Sequence, residues 1–197
     1  YGKNELYVWQ NILRACNKFL SDFKSNYELC SPNIAESTIG LYSEKTNMRL
    51  NSYALEHDLD LNAEWMFNGI KTPSLNQILD EINKDIPEPT KKQQTIIHGD
   101  FCFSNILYNF RTESIKVIDP RGIDVSGNHT IFGDIRYDIA KLAHSVIGMY
   151  DFIIAGHNTY ILNGEYDISF KIHSTQTIEN IQTFFINSNF AGLNIKE

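Results

Sequence analysis

The chain has 197 residues, of which 42% are hydrophobic and 21% charged, enough for one well-buried domain or one large lobe of a two-lobed enzyme. Its formal net charge of −7 and the lack of a basic stripe argue against nucleic acid as the main partner. No apolar run approaches the ~20 residues of a membrane span, and Cys16, Cys30 and Cys102, odd in number with no C-x-x-C pair, argue for a reducing, cytoplasmic setting over a disulfide framework.

In chain order, Leu6, Trp9, Leu13, Cys16, Leu20 and Phe23 recur every three or four residues, which predicts an amphipathic helix over Glu5 to Phe23. Ser31-Pro32-Asn33 breaks that pattern. Thr72-Pro73 supplies a cap and a first-turn proline for a short helix that should bury Leu75, Ile78, Leu79 and Ile82 and end before Pro87. Thr95-Ile96-Ile97 is a short β-branched run entering a loop. Ile106-Leu107-Tyr108 and Ile115-Lys116-Val117-Ile118, separated by the polar stretch Asn109 to Ser114, read as a hairpin with a long loop. Ile135, Ile139, Leu142, Val146, Ile147 and Tyr150 predict a second strong helix from Asp134 to Tyr150. Asn163-Gly164 between two apolar runs predicts a tight hairpin, and a last helix is expected over Thr177 to Ile186. Helices around a small amount of hairpin make this an α+β pattern, without internal repeats or linkers.

The segment richest in chemistry is His98-Gly99-Asp100-Phe101-Cys102-Phe103-Ser104-Asn105, followed by the hairpin that ends at Asp119. Phosphoryl transfer is mostly positioning and charge neutralisation through Mg²⁺, a hard ion that takes oxygen ligands. It also needs an Asp beside the acceptor hydroxyl. An Asp followed five residues later by an Asn suits both tasks: the intervening loop turns Asp100 to the acceptor and Asn105 to the metal. The returning hairpin then brings Asp119 beside Asn105 as a second ligand. The spacing matches H-R-D-x-x-x-x-N of protein kinases, with Gly99 in place of the arginine and Asp119-Pro120-Arg121 at the Asp-Phe-Gly position.

His98-Gly99-Asp100…Asn105-Ile106-Leu107, then Val117-Ile118-Asp119-Pro120, then Gly133-Asp134-Ile135-Arg136-Tyr137-Asp138-Ile139-Ala140, resemble three blocks of the aminoglycoside phosphotransferase and choline kinase family, in family order across roughly Ile96 to Tyr150. The resemblance implies a protein-kinase-like C-terminal lobe with ATP as co-substrate and Mg²⁺ as cofactor. It implies Asp100 as catalytic base, with Asn105 and Asp119 as magnesium ligands beside the nucleotide. His98 would brace the loop through its ring, and Asp138 would anchor the loop by hydrogen bonds. Leu41 to Leu50, Trp65 to Gly69, Phe101 to Ser104 and Asp119 to Gly122 are similar to a subgroup associated with bacterial capsule or surface-polysaccharide synthesis. No segment matches the family's phosphate-covering loop or ATP-contacting lysine, so the expectation is a catalytic lobe, residues 1–197, of a longer protein. Alone it should bind ATP weakly.

The expected activity is therefore transfer of the ATP γ-phosphate to a hydroxyl of a small molecule; the rivals are a non-catalytic pseudokinase or binding module of the same fold, and a protein kinase. Retention of Asp100, Asn105 and Asp119 together counts against the first. The lack of an Ala-Pro-Glu element counts against the second. The residues leave a sugar, an amino alcohol and an aminoglycoside equally open as acceptor, and GTP open beside ATP. Arg121 reads either as a phosphate or carboxylate ligand or as the salt-bridge partner of an acid such as Asp124. Lys45 and Arg49, four apart, read as a solvated helix face or as substrate contacts.

Overall fold

Leu13, Cys16 and Leu20 fall on one stripe of the first helix, and all three are buried, so the three-to-four spacing translates directly into a core face. The structure is a computed structural model that describes residues 2–25, 40–87, 90, 92–124 and 126–196. The break at Ser31-Pro32-Asn33 lies outside the described residues. The elements are α1 (Leu6–Ser25), a wide π-helical turn (Gly40–Glu44) running into α2 (Lys45–Glu56), β1 (Trp65–Phe67), β2 (Ile70–Thr72), α3 (Leu75–Asp85) and β3 (Gln94–Ile96). After the 98–105 loop come β4 (Ile106–Asn109), β5 (Ser114–Val117), β6 (Phe132–Asp134), α4 (Ile135–Val146) and α5 (Tyr150–Ile154). The chain finishes with β7 (Asn158–Gly164), β8 (Asp167–Ile172), α6 (Gln176–Ile186), β9 (Asn189–Phe190) and β10 (Leu193–Asn194). The fold is α+β with small sheets. No helix among the described residues is long and apolar enough to cross a membrane.

The core is where α1, α4 and α6 meet. Ile135, Leu142 and Val146 of α4 and Ile181 and Phe185 of α6 are fully enclosed against the α1 stripe. Phe101 joins them from the 98–105 loop, 0% exposed and stacked on Phe19 at 5.5 Å between ring centroids. Phe103 sits 5.4 Å from Trp9. Burying a phenylalanine is worth about 1.5–3 kcal/mol, so these two aromatics fasten the chemistry-bearing loop to the most rigid part of the molecule.

The described residues form one four-stranded and three two-stranded sheets. β3 pairs antiparallel with β6, and β4 with β5 in the register Ile106↔Val117 through Asn109↔Ser114. A four-stranded sheet, ordered β2-β1-β8-β7, joins residues distant in sequence through a parallel β1–β8 contact.

Several elements differ from the expectation, each for a local reason. The cap of α3 is Ser74, not Thr72: its hydroxyl accepts from the Gln77 N–H while the Gln77 side chain accepts from the Ser74 N–H. That reciprocal box satisfies two helix-end donors, leaving Thr72 to close β2. No residue of α3 is fully buried, and Ile82 is 51% exposed, because the helix lies outside the α1–α4–α6 core. The expected Asp134–Tyr150 helix divides in two. The Ile147 and Gly148 N–H groups both donate to the Ala143 carbonyl, and Met149 then turns left-handed at φ 49° before α5 begins.

The hairpin expected around Asn163-Gly164 forms as antiparallel β7–β8, with its turn two residues later, and the other Asn-Gly pair makes a tight turn of its own. Asn68 (φ 53°) and Gly69 (φ 77°) carry the positive angles of a tight two-residue turn between β1 and β2. Asn163-Gly164 instead lies within β7 at a bulge, with the Asn163 amide bonding Asp167 and Ser169, and the chain reverses at Glu165-Tyr166.

Candidate active site

One face of α4 holds the whole 98–105 loop. Asp138, Lys141 and Ser145 stand at positions i, i+3 and i+7, the spacing that stacks side chains on a single helical stripe. Asp138 Oδ2 accepts from the His98 N–H at 2.7 Å and Oδ1 from the Gly99 N–H at 2.8 Å. Lys141 Nζ lies 2.7 Å from Asp100 Oδ1. Ser145 Oγ accepts from the Phe103 N–H at 3.0 Å. Asp138 thus has the anchoring role expected of it. Lys141 and Ser145 escaped the sequence reading because they look like ordinary polar positions on an amphipathic helix. The clue was their register with Asp138, one residue away from the apolar stripe.

Asp138 is fully buried. Burial pushes its carboxyl up to about 6, against the downward pull of the two N–H donors and of Arg121.

His98 ties the loop to the hairpin. Its Nε2 bonds the Ile118 carbonyl at 2.9 Å, while Nδ1 accepts from the Asp100 N–H at 3.2 Å. Those roles require the neutral Nε2–H tautomer. Burial accordingly lowers the ring's pKa below 6.5, outweighing the Ile118 bond and the nearby Asp100 and Asp119 carboxylates. A group whose folded-state pKa is lowered gives stability that is complete above the unfolded value, near 6.5, and is lost as pH falls through the folded one. The stability advantage of the wild type over His98→Asn should therefore shrink as pH drops from about 7.5 to about 5. Paired urea melts at each pH measure it, and an advantage that stays constant or grows would contradict this tautomer.

Gly99 cannot carry a side chain here. Its φ is +76°, and a Cβ would lie 2.8 Å from Cβ of Arg121. The Arg121 N–H donates to the His98 carbonyl at 2.9 Å, so the strand after the hairpin passes directly against the loop.

Asp100 and Asn105 are brought into direct contact. Asn105 Nδ2 donates to the Asp100 carbonyl at 2.9 Å and to its Oδ2 at 3.1 Å, which leaves Oδ1 as the metal-competent atom of Asn105. The Asp100 side chain is 34% exposed. Burial raises its carboxyl, but Lys141, Asn105 and Arg121 together reverse this and hold it below 3.8. It is therefore a carboxylate at neutral pH, open on one side.

Asp119 follows directly on a residue bonded to this pair. The Ile118 N–H donates to the Asn105 carbonyl at 3.0 Å, so Asp119 begins where the hairpin closes. It is exposed, makes no side-chain hydrogen bond or ion pair among the described residues, and is held at φ 57°, a left-handed angle uncommon for a side-chain-bearing residue. Asn105 and Asp119 offer hard oxygen donors of the kind Mg²⁺ takes, one or two from the protein and the rest from phosphates and water. The donor set fits that ion. No group of three or more His, Cys, Asp or Glu that could hold a metal ion occurs among the described residues.

Arg121 does not pair with Asp124, whose carboxylate instead caps its own turn by accepting from the Ser126 and Asn128 N–H groups. Its guanidinium lies 4.9 Å over the Tyr137 ring, and Nη2 donates to the Tyr137 hydroxyl at 2.7 Å. Cys16 and Cys102 are buried free thiols, and burial raises Cys16 to about 12. Neither is a poised nucleophile. The chain matches no family model, no curated protein and no solved structure.

Proposed function

We propose that this chain is the catalytic lobe of a protein-kinase-like phosphotransferase, which moves the γ-phosphate of ATP onto a hydroxyl of a small molecule with Mg²⁺ as cofactor. The observation that carries the reading is the Asn105–Asp100 contact on a loop locked from behind by Asp138. A base and a metal ligand are held at fixed separation, with the one-third exposed Asp100 carboxylate and Asn105 Oδ1 left to meet ligands. The resemblance to the aminoglycoside phosphotransferase and choline kinase family, with its surface-polysaccharide subgroup, supports the same assignment.

In this reading Asp100 accepts a hydrogen bond from the acceptor hydroxyl. As the hydroxyl oxygen bonds to the γ-phosphorus, the bond from phosphorus to the ADP oxygen breaks and the proton passes to the Asp100 carboxylate. A carboxylate of low pKa is a weak base, so its main contribution is aim. The loose transition state of phosphoryl transfer asks for little more until late in the reaction. Lys141 keeps Asp100 ionised and places a cation where equatorial phosphoryl oxygens gain charge. Asn105 Oδ1 and the Asp119 carboxylate are the atoms that would hold Mg²⁺, which supplies charge neutralisation between the phosphates. The left-handed backbone at Asp119 is the sort of strain found at ligand clamps.

The test is phosphate transfer by the full-length protein from ATP and Mg²⁺ to sugars, sugar phosphates, hydroxylated acids, amino alcohols and aminoglycosides, with Mn²⁺ affinity measured alongside. Transfer should require the divalent ion. Asp119→Ala should weaken Mn²⁺ binding and turnover more than Asn105→Ala, because it removes a formal charge as well as a ligand. No phosphorylated product anywhere in the panel, with Mn²⁺ affinity unchanged in both variants, would dismiss the assignment.

A further inference from the structure

Three cationic side chains from three separate elements act on one carboxylate, Asp100, and a fourth stands beside one of them. Lys141 reaches Asp100 from α4, and Arg121 arrives from the segment after β5. Lys45 and Arg49 stand one turn apart on α2, and the Lys45 ammonium feels the charges of Arg121, Arg49, Lys141 and Asp100. The aromatic packing supports the same arrangement. Tyr42, three residues before Lys45, lies 5.5 Å from the Tyr137 ring, and Tyr137 in turn carries the Arg121 guanidinium.

Among the described residues no acid forms an ion pair with Arg121, Lys45 or Arg49. Both oxygens of Asp138 are taken by backbone N–H groups, and Asp100 Oδ1 is taken by Lys141. Asp119 is the free carboxylate, and in the proposed reading a metal ion claims it. Lys45 and Arg49 have no ion-pair partner among the described residues. Arg121 Nη1 is buried without a hydrogen-bond partner, and so is the Tyr42 hydroxyl. A buried guanidinium N–H left unpaired costs about 1–3 kcal/mol or more. A protein that keeps such a donor beside two unpaired cations has a receptor for a negatively charged group.

We propose that Arg121 and Lys45, assisted by Arg49 at the rim, bind an anionic group, carboxylate or phosphate, on the acceptor molecule and so hold its hydroxyl at Asp100. The inference rests on the phosphotransferase reading for the word acceptor, but the anion site itself can be tested without turnover. It replaces the open choice among sugars, amino alcohols and aminoglycosides with a class, hydroxylated acids or sugar phosphates, and it disfavours cationic acceptors through direct repulsion.

The experiment is calorimetric titration of the full-length protein, with and without MgADP, using glycerol, D-glycerate and glycerol 3-phosphate, then glucose, glucuronate and glucose 6-phosphate. Only the anionic members of each set should bind, and whether carboxylate or phosphate binds tighter identifies the group. Lys45→Met and Arg121→Gln should each weaken that binding by about 10- to 100-fold, the scale of a charge-assisted hydrogen bond. Binding should persist with MgADP present. Equal binding of neutral and anionic members, no binding of any anion, or displacement of the anion by MgADP would each overturn the proposal, the last by placing the cations in the nucleotide site. Because Arg121→Gln touches buried packing, Lys45→Met, on a half-buried helix start, keeps the test decisive. Anion binding without phosphate transfer would leave this site standing and remove the kinase reading instead.

Discussion

Asp100→Asn in the full-length protein is expected to lower kcat by about 10²–10⁴-fold, the range for removing a positioned general base, while ATP affinity changes little. The stability cost should be small, and the structure says why. The carboxylate is one-third exposed, and its ion pair with Lys141 is of similar exposure. Such pairs contribute about 0–1 kcal/mol. The loop position does not depend on Asp100, because Asp138, Ser145, Phe101 and Phe103 hold it from behind. Asparagine can still accept from Asn105 through its one oxygen, but it offers no charge to Lys141 and cannot take a proton. Activity and stability should therefore separate. Steady-state kinetics, nucleotide calorimetry and a urea melt on the same preparation check this, and near-normal turnover would remove Asp100 from the base position.

Asp138 should behave in the opposite way, with its largest effect on structure. Each of its oxygens serves one buried N–H, and no water-exposed alternative exists for a side chain that is 0% exposed. Asp138→Ala leaves two donors unsatisfied, at about 1–3 kcal/mol each, or roughly 2–6 kcal/mol in all. Asp138→Asn leaves one, and turns its own NH₂ toward the other donor, so it should fall between alanine and wild type. The site-specific readout is hydrogen exchange at the His98 and Gly99 amides, which should speed up in both variants while amides in the α1–α6 core keep their order of protection. Unchanged protection at those two amides would mean the loop is held by something else. Loss of activity should follow, since Asp100 is attached to the same turn.

The two carboxylates differ for a reason visible in their partners. One faces outward to a lysine on a flexible stem, and the other faces inward to the backbone. Residue type and spacing made both stand out in the sequence; the hydrogen bonds show Asp138 as the support, and the chemical role of Asp100 is the proposal.

The amphipathic stripes of α1, α4 and α6 were legible in the sequence because a buried helical face repeats every three to four residues whatever it packs against. The 98–105 loop and the β4–β5 hairpin were legible for a different reason: a short Asp-to-Asn spacing followed by two apolar runs constrains its own geometry. Tertiary structure alone decided the rest. Whether Asn68-Gly69 or Asn163-Gly164 becomes a tight turn depends on the strands that each must join, and β1 finds its neighbour β8 about a hundred residues away. The end of α4 at Ile147 depends on where α5 must leave the core. The gathering of Lys45, Arg49, Arg121 and Lys141 has no sequence signature at all. These residues lie up to 96 positions apart, on elements whose own patterns concern only their apolar faces. Local periodicity reports what each segment buries, and only the tertiary contact of Tyr42, just before α2, with Tyr137 of α4 reveals which charges come together.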